Sequence, residues 1–406
     1  MKFILLLASS LLVAEVSATE RFKTDLGISV GYAYNDSPLE SWVDQGQGKL
    51  LSQNSNTNLA GFAEVKFLVT DTAVLHLVGE LNSNRLGPAA GLTEAFLQIR
   101  PIPRGAVRSE FKVGTFYPSS SLENTHSGWR SEFTQTNSSI STWIAEEIRV
   151  TGAEWTGSIR SDLWGGDHRF KLRMAGFFGN DSVGALLAWR GWSLHNRQSG
   201  IRDRLTLPDL PVMQPGAPFE DQAANSDPFI ESDGRPGFYA GGEWQWAGRF
   251  TANMLWYDNK ADPETLEDGH YGWATRFFMA GIETELAGTR IIAQWMDGTT
   301  EMGPLFGTTR AVENNFRSYS LLWARDWNKH RLAVRYDDFL VDDIDSLIID
   351  PNSEDGRAFT ASYRYAVTPR TRVLLEWVQI RSDREALADP FTERQLHFGV
   401  RYTFTD

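Results

Sequence analysis

The chain has 406 residues, a formal net charge of −13, no cysteine and a mean hydropathy of −0.34. Without cysteine, disulfides cannot hold the fold together, and the excess of acid argues against nucleic-acid binding. Beyond the first residues, no stretch approaches the ~18 consecutive apolar residues that a membrane helix needs. If the chain spans a membrane, we therefore expect it to do so as a β-barrel.

The N-terminus has the pattern of a secretory signal. Lys2 precedes an apolar run over residues 3–13, and Val16, Ser17 and Ala18 are small residues suited to cleavage. We expect a signal peptide over residues 1–18 and a mature chain, residues 19–406, beyond the inner membrane. An N-terminal anchor or a buried helix is the alternative.

The rest of the chain alternates apolar and polar residues in short segments. The most regular ones are residues 26–34, 170–178, 359–365 and 396–404. Because successive side chains of a strand point to opposite faces, this pattern predicts strands with one oily and one watery face. Aromatic residues make up 12% of the chain, and many of the 15 Trp lie near strand ends, as in the aromatic girdles of membrane barrels.

Segments of this kind, bounded by turn residues, number about seventeen. In chain order they are 24–35, 57–69, 72–83, 91–101, 107–117, 148–160, 167–180, 183–193, 236–246, 248–258, 273–286, 288–298, 315–326, 329–341, 357–367, 370–381 and 393–404. Single-chain bacterial barrels have even strand numbers, so we expect 16 strands, or at most 18. The predicted fold is all-β: a transmembrane antiparallel barrel.

Connection lengths orient this barrel, because periplasmic turns are short and extracellular loops long. Tight turns are predicted at 246–248, 287–288, 327–329 and 367–369, and long connections near 259–272, 299–314, 342–356 and 382–392. In the N-terminal half, 36–56 and 118–147 are expected outside. The proline-rich stretch 195–236 is predicted to be an irregular loop.

Signal peptide, alternating strands, aromatic strand ends and a long connection after the fifth strand resemble Gram-negative outer-membrane porins. The segments 143–149 and 189–192 resemble the phosphate-selective O and P group of that family. The resemblance implies a homotrimer in the outer membrane, in contact with lipid and lipopolysaccharide. It also implies a third extracellular loop that folds into the lumen, which by position is 118–147. The candidate constriction residues are His126, Trp129, Arg130, Glu132, Glu146 and Glu147.

Basic residues on the polar faces are candidates for pore-lining groups that select the charge of a solute. Arg169, Lys171 and Arg173 form the densest row, and Arg108, Lys112, Arg331 and Arg335 are further candidates. The other basic positions on these faces are Lys66, Arg249, Arg364, Arg372 and Arg401. The alternative is that these groups pair with Glu110 or other lumen carboxylates and set only a transverse field.

The sequence favours a porin that lets small hydrophilic solutes or ions diffuse passively, with a possible preference for anions such as phosphate. We expect no enzymatic activity, cofactor or metal, since the seven His are scattered and fall in no recognised catalytic or zinc motif. Two alternatives stay open: a barrel enzyme whose site assembles across strands, and a secreted soluble β-sheet protein that binds carbohydrate. The discriminator is whether the apolar strand faces point outward or into a core.

Overall fold

The computed structural model describes residues 21–83, 89–103, 105–159 and 166–404. The predicted signal peptide, residues 1–18, lies outside the described residues. Each strand of the barrel pairs antiparallel with the next, and the last pairs with the first, so the sheet closes.

The barrel has sixteen strands, and the predictions of an antiparallel barrel and of an even strand number are confirmed. The strands are β1 (Phe22–Asp36), β2 (Asn56–Thr70), β3 (Ala73–Asn82), β4 (Ala90–Ile99), β5 (Val107–Phe116), β6 (Val150–Ile159), β7 (His168–Phe178), β8 (Gly237–Trp246), β9 (Phe250–Asp258), β10 (Ala274–Leu286), β11 (Thr289–Phe306), β12 (Thr309–Trp327), β13 (His330–Asp343), β14 (Glu354–Ala366), β15 (Thr371–Arg384) and β16 (Phe391–Thr403).

The apolar face of the strands points outward. On β16, Leu396, Phe398, Val400 and Tyr402 are 36% to 52% exposed, whereas His397 of the opposite face is 8% exposed. In a soluble sandwich the apolar row would be the buried one, so the sandwich alternative is wrong. A closed sheet with an apolar outer face is the form in which strands cross a lipid bilayer. Among the described helices, none is long and apolar enough to cross a membrane.

Tight turns join the strands at one end of the barrel, as predicted. Ala247 and Gly248, and likewise Ala287 and Gly288, all have positive φ, the conformation of the two-residue turns that match strand twist. Asn328 has a φ of 53° in the turn between β12 and β13. The connections from an even-numbered strand to the next odd-numbered strand therefore lie at the same end of the barrel as the first residue of β1.

The prediction of a strand at 183–193 is wrong. This segment contains a short helix, α2 (Ala185–Trp189), within the long connection between β7 and β8. All five residues of α2 are buried, so the apolar run has no solvent-facing side and its composition does not distinguish a strand from a helix. Removing this segment brings the predicted strands to the observed sixteen.

The prediction of a long loop at 299–314 is also wrong. Strands β11 and β12 continue through it and meet at a two-residue turn formed by Gly307 and Thr308. Gly303 and Pro304 gave the segment its loop-like composition. A register shift between Met302 and Leu305 accommodates them as a bulge, with Gly303 at a φ of 81°.

The remaining elements lie in connections between strands. Helix α1 (Ser139–Glu146) lies between β5 and β6, and 3₁₀ turns cover Trp42–Asp44 and Pro211–Met213. Two short ribbons pair Leu205–Thr206 with Asn225–Ser226, and Leu266–Glu267 with His270–Tyr271. The largest buried apolar cluster joins α1 to inward-facing strand residues: the Trp143 ring meets Phe277 at 5.5 Å and Phe316 at 5.1 Å.

A charge on the apolar outer face is expected to destabilise the barrel in a bilayer. Leu375, on β15, is 43% exposed on that face. We expect Leu375→Arg to lower the free energy of unfolding by about 2–4 kcal/mol, because the guanidinium would lie in hydrocarbon. Equilibrium unfolding in urea from lipid vesicles measures this.

The matched control is Thr156→Arg, on the inward face of β6 beside a polar cavity. Equal losses of stability for the two variants would contradict the assignment of the faces.

Candidate functional site

The predicted pore-lining row on β7 faces inward, but two of its three charges share one carboxylate. Lys171 and Arg173 each bond at 2.7 Å to a different carboxylate oxygen of Glu243, on the neighbouring strand β8. Arg169 lies on the same face, exposed, near the turn end of the strand. The row thus carries an internal ion pair, as in the alternative considered from sequence, although the partner is Glu243 rather than Glu110.

Arg108 and Lys112 of β5 lie beside this row. Lys112 forms an ion pair with Glu154 at 3.2 Å. Arg108, Lys112, Lys171 and Arg173 line one cavity of about 680 Å³ at the tight-turn end of the barrel. Arg108 is exposed here and Lys171 is half-buried, so salt screens their charges, whereas Arg173 is buried.

The two basic candidates of β13 are bound to acidic groups of the β5–β6 connection. Arg335, fully buried, bonds to Glu123 at 2.7 Å and to Asp337 at 2.8 Å. Arg331 bonds to Glu132 at 2.7 Å and also to Asp326. Breaking a buried pair by removing one partner leaves an uncompensated charge, so these contacts fix the connection firmly.

The β5–β6 connection, residues 117–149, is bonded to strands around most of the barrel. Its polar contacts reach β2, β4, β9 and every strand from β11 to β16. In one example, the backbone N–H of Thr136 donates to the Glu376 carboxylate of β15 at 2.8 Å. In another, the side-chain amide of Asn253 on β9 donates to the Ser120 carbonyl at 2.7 Å.

Four of the predicted constriction residues, His126, Trp129, Arg130 and Glu132, lie in the first part of this connection. His126 is 3.7 Å from Glu132, and Trp129 stacks on Tyr117 with ring centroids 4.4 Å apart. Glu132 also accepts from Arg290 at 3.1 Å.

Arg130 belongs to a group of arginines bonded to neutral acceptors, which we call the arginine trio: Arg130, Arg364 and Arg401. Arg130 donates to the Gly61 carbonyl at 2.9 Å, Arg364 to the Glu132 carbonyl at 3.1 Å, and Arg401 to the Gln135 side chain at 2.8 Å. Within the described ranges, none of the three forms an ion pair with a carboxylate. Arg401 is repelled by Arg130, Arg372 and Arg364 and is attracted by Glu376.

The last two constriction candidates, Glu146 and Glu147, end helix α1 and bind the β7–β8 connection, residues 179–236. Glu146 accepts two bonds from Arg190, at 2.6 and 2.8 Å, and one contact of 2.9 Å from His195. Glu147 accepts from Trp143 at 2.6 Å and from the backbone N–H groups of Gly184 and Leu186.

Sequence reasoning missed the role of the β7–β8 connection. Lys49, in the first connection, forms a buried ion pair with Glu354 of β14 and donates to the Arg190 carbonyl at 2.9 Å. Arg384 of β15 donates to the carbonyls of Ala188 and Trp189, the C-terminal carbonyls of α2. The only sequence signal for this docking was the Trp189–Trp192 segment, whose apolar residues are all buried.

Little space remains where the two connections meet the wall. One cavity, between Glu80, Arg130, Gln135 and Arg401, measures about 20 Å³. A second, of about 30 Å³, lies beside Asn35, Gln395 and His397. Each has room for a water molecule or two, and their lining is largely amide and guanidinium groups.

The buried acids of α1 differ in charge state. Burial would raise the pKa of Glu146, but the charge of Arg190 and the contacts with Arg190 and His195 lower it to about 2. Burial raises the pKa of Glu147 to about 7, although Trp143 donates a hydrogen bond to it. Burial also lowers the pKa of His195, despite its contact with Glu146. Glu147 is therefore the group of this contact that titrates near neutral pH.

The contact between Glu147 and α2 is expected to weaken as pH rises. The folded-state pKa of about 7 lies above the ordinary value of 4.5, so the stabilisation is complete below about pH 4.5 and is lost through pH 7. Amide exchange becomes faster with pH in any protein. For Gly184 and Leu186 we expect an additional increase between pH 5 and 8, which corresponds to a fall on the order of 2 kcal/mol in the free energy of local opening. Hydrogen exchange with mass spectrometry measures this.

Glu147→Gln is the matched variant and should flatten this dependence. The remaining slope is attributed to Asp181, whose pKa burial raises to about 6. An unchanged slope in Glu147→Gln would contradict the assignment.

No family model matches the chain, and no curated protein matches it. Several solved structures are similar to the chain. A loop-8 deletion mutant of OmpT, an outer membrane protein of Vibrio cholerae, is 11% identical with a TM-score of 0.54, and the alignment covers 95% of this chain and all of that one. The anion-selective porin from Comamonas acidovorans is 11% identical with a TM-score of 0.52, and the alignment covers 94% of this chain and 99% of that one. OmpF of Salmonella typhi, in complex with daunomycin, is 12% identical with a TM-score of 0.51, and the alignment covers 94% of this chain and 98% of that one. Together with the closed sheet of sixteen strands, these likenesses show that the chain has the fold of Gram-negative outer-membrane porins.

Proposed function

We propose that the chain is an outer-membrane porin through which small hydrophilic solutes or ions diffuse passively. The observation that carries this proposal is the arrangement of the barrel: an apolar outer face, a charged inner face, and a connection bonded to strands on several sides of the inner face. Diffusion through such a lumen requires neither a chemical step nor a cofactor. The outer membrane is the bacterial compartment in which large closed barrels lie.

We further propose that 118–147 crosses the lumen and narrows it. Its contacts support this, since the barrel is closed and a segment that bonds to the Gly61 carbonyl of β2 and to the Asp337 carboxylate of β13 has to pass between them. The buried ion pairs with Arg335 and Arg331 would hold the segment against the wall of β13.

The arginine trio is the proposed selectivity element, and it favours anions. Arg331 and Arg335 are bonded to carboxylates and Lys171 and Arg173 share that of Glu243, whereas the trio is bonded to neutral oxygens. Arg130 and Arg401 also line the cavity of about 20 Å³. Uncompensated charge in a narrow, low-dielectric passage attracts counter-ions more strongly than charge in an open vestibule. The likeness to a porin described as anion-selective agrees with this preference.

Charge reversal at the trio is expected to change ion selectivity more than reversal at the β7 row. Arg401→Glu should lower the anion-to-cation permeability ratio at least about threefold, with Arg401→Gln intermediate. Lys171→Glu, in the open cavity, should change the ratio less. Reversal potentials in planar bilayers under a salt gradient measure the ratio.

A larger effect from Lys171→Glu than from Arg401→Glu would contradict the proposed selectivity element. It would return the assignment to the row Arg169, Lys171 and Arg173.

The β7–β8 connection is proposed to restrict the passage further. Where α2 and residues 190–199 pack on α1, two cavities between the connections and the wall measure about 20 and 30 Å³. Packing of this kind inside the lumen would hinder larger solutes until it loosens, which predicts small single-channel conductance.

Removing Arg190 is expected to increase conductance. Arg190→Ala leaves Glu146 buried beside His195 alone, at a cost of about 3–5 kcal/mol to the contact, so the β7–β8 connection should detach more often. Longer or larger single-channel openings in planar bilayers are the expected result.

The control for this variant is Arg204→Ala, in the same connection, whose guanidinium is largely exposed and 3.7 Å from Asp227. Conductance unchanged by Arg190→Ala but altered by Arg204→Ala would contradict the restriction at α1.

The homotrimeric assembly inferred from the resemblance stays a prediction, as does the absence of enzymatic activity. Native mass spectrometry of the detergent-extracted barrel would determine the number of copies.

A further inference from the structure

Three carboxylates converge where the two ends of the β7–β8 connection meet. Asp181 lies just after β7, and Glu231 and Asp233 lie shortly before β8. One carboxylate oxygen of each residue lies within 4.8 Å of the corresponding oxygens of the other two. We call these three residues the acidic cluster. It lies at the end of the barrel opposite the tight turns.

Two members of the acidic cluster are withdrawn from water. Asp181 is 0% exposed and the side chain of Asp233 is 3% exposed, whereas Glu231 is exposed. Burial raises the pKa of Asp181 to about 6, and repulsion from Glu231 and Asp233 contributes to the rise. Neighbouring carboxylates repel each other most where water does not screen them. A positive charge among the three would remove this repulsion.

The hydrogen bonds of Asp181 leave one of its oxygens without a donor. Its Oδ2 atom accepts from the backbone N–H of Ser232 at 2.6 Å and from the Ser232 hydroxyl at 2.9 Å. Its Oδ1 atom is buried and has no hydrogen-bond partner among the described residues. A buried acceptor without a partner is costly, because it has lost its hydration without replacement. A proton, a water molecule or a cation can satisfy such an oxygen, and two further carboxylates beside it favour the cation.

The nearest basic side chain does not neutralise the cluster. Arg235 is 54% exposed, and its Nε atom is 3.9 Å from Asp233. Its outer nitrogen forms a closer ion pair, at 2.6 Å, with Asp262. Neither Asp181 nor Glu231 forms an ion pair with any residue in the described part of the chain. The cluster therefore keeps a negative charge that only a group from outside the chain can balance.

Backbone donors hold the other two carboxylates in place. Glu231 accepts from the N–H groups of Gly179 and Gly234, at 2.6 and 2.7 Å. Asp233 accepts from the N–H of Asp262, in the connection between β9 and β10. A carboxylate oxygen has two lone pairs, so one hydrogen bond leaves room for a bond to a metal. Carboxylates held in this way lose little freedom when a ligand binds.

We propose that the acidic cluster is a calcium site that fastens together the two ends of the β7–β8 connection. Its converging atoms are all carboxylate oxygens, which hard divalent cations prefer, and it contains no His or Cys. Ca²⁺ binds oxygens at roughly 2.3–2.6 Å, so opposite ligands lie about 4.6–5.2 Å apart, whereas Mg²⁺ draws them to about 4.0–4.2 Å. A spacing of up to 4.8 Å therefore suits calcium.

No metal was expected from the sequence, because the ligands come from opposite ends of a long connection and form no motif. The site joins these ends to each other and, through the bond between Asp233 and the N–H of Asp262, to the next connection. It does not depend on the proposed porin function.

The test is calcium binding by the full chain, refolded in detergent without lipopolysaccharide and treated with a chelator. Calorimetric titration with Ca²⁺ should give one site per barrel with a Kd of about 0.1–1 mM, as in extracellular calcium modules. Asp181→Asn and Glu231→Gln should each weaken binding at least about tenfold, because a charged ligand becomes neutral. The matched control is Glu220→Gln, which removes an exposed carboxylate of the same connection and should bind as the wild type does.

Hydrogen exchange with mass spectrometry provides a local readout of the same site. Ca²⁺ should slow amide exchange in residues 179–183 and 230–235 of the wild type, because the ion holds the two segments together. The same segments of Glu231→Gln should respond little to Ca²⁺. An electrophoretic shift on heating confirms that each variant is folded.

Three results would overturn the proposal. The first is no binding by the folded wild type at concentrations about tenfold above the expected Kd. The second is an equal loss in Glu220→Gln and Glu231→Gln, since calcium would then respond only to the net charge of the connection. The third is bound calcium without slower exchange in either segment, which would place the ion elsewhere. Because no bilayer is involved, these results are distinct from a failure of the proposed porin function.

Discussion

The structure depends on one constraint: in hydrocarbon, every backbone N–H and C=O must find a partner within the protein. Strand β1 satisfies it by pairing with both β2 and β16, which closes the sheet and leaves no edge. Closure forces one face of every strand outward and the other inward. The period-two pattern of the sequence and the contrast between the two faces follow from this.

Closure also determines how the interior is filled. Inward-facing charges cannot be solvated by lipid, so each needs water or a partner of opposite charge. Some find that partner on a connection, as Arg335 does with Glu123. Others find it on a neighbouring strand, as Lys171 does with Glu243. The arginine trio is bonded instead to neutral acceptors, and its charge without an ion pair is the physical basis for the proposed anion preference.

The parts of the fold that depend on neighbours in sequence were predictable. Alternation along 396–404 and the Ala-Gly turns at 247–248 and 287–288 are local signals, and the structure bears them out. The path of the connections was not predictable, because its bonds join residues far apart, such as Thr136 with Glu376 or Lys49 with Glu354. Residues 185–189 were misassigned because a short, wholly buried helix has the same apolar composition as a buried strand. Which lumen arginines bond to a carboxylate and which to a neutral acceptor follows from the same distant contacts, so the sequence named Arg364 and Arg401 without distinguishing them.

The central claim is that this barrel is a narrow, passive channel whose interior is occupied by two of its own connections. Single-channel recording of the refolded wild-type protein in planar bilayers tests it most directly. The account predicts stepwise, ohmic openings of small conductance, with a reversal potential under a salt gradient that favours anions. A silent bilayer from folded protein, or large openings that favour cations, would contradict it.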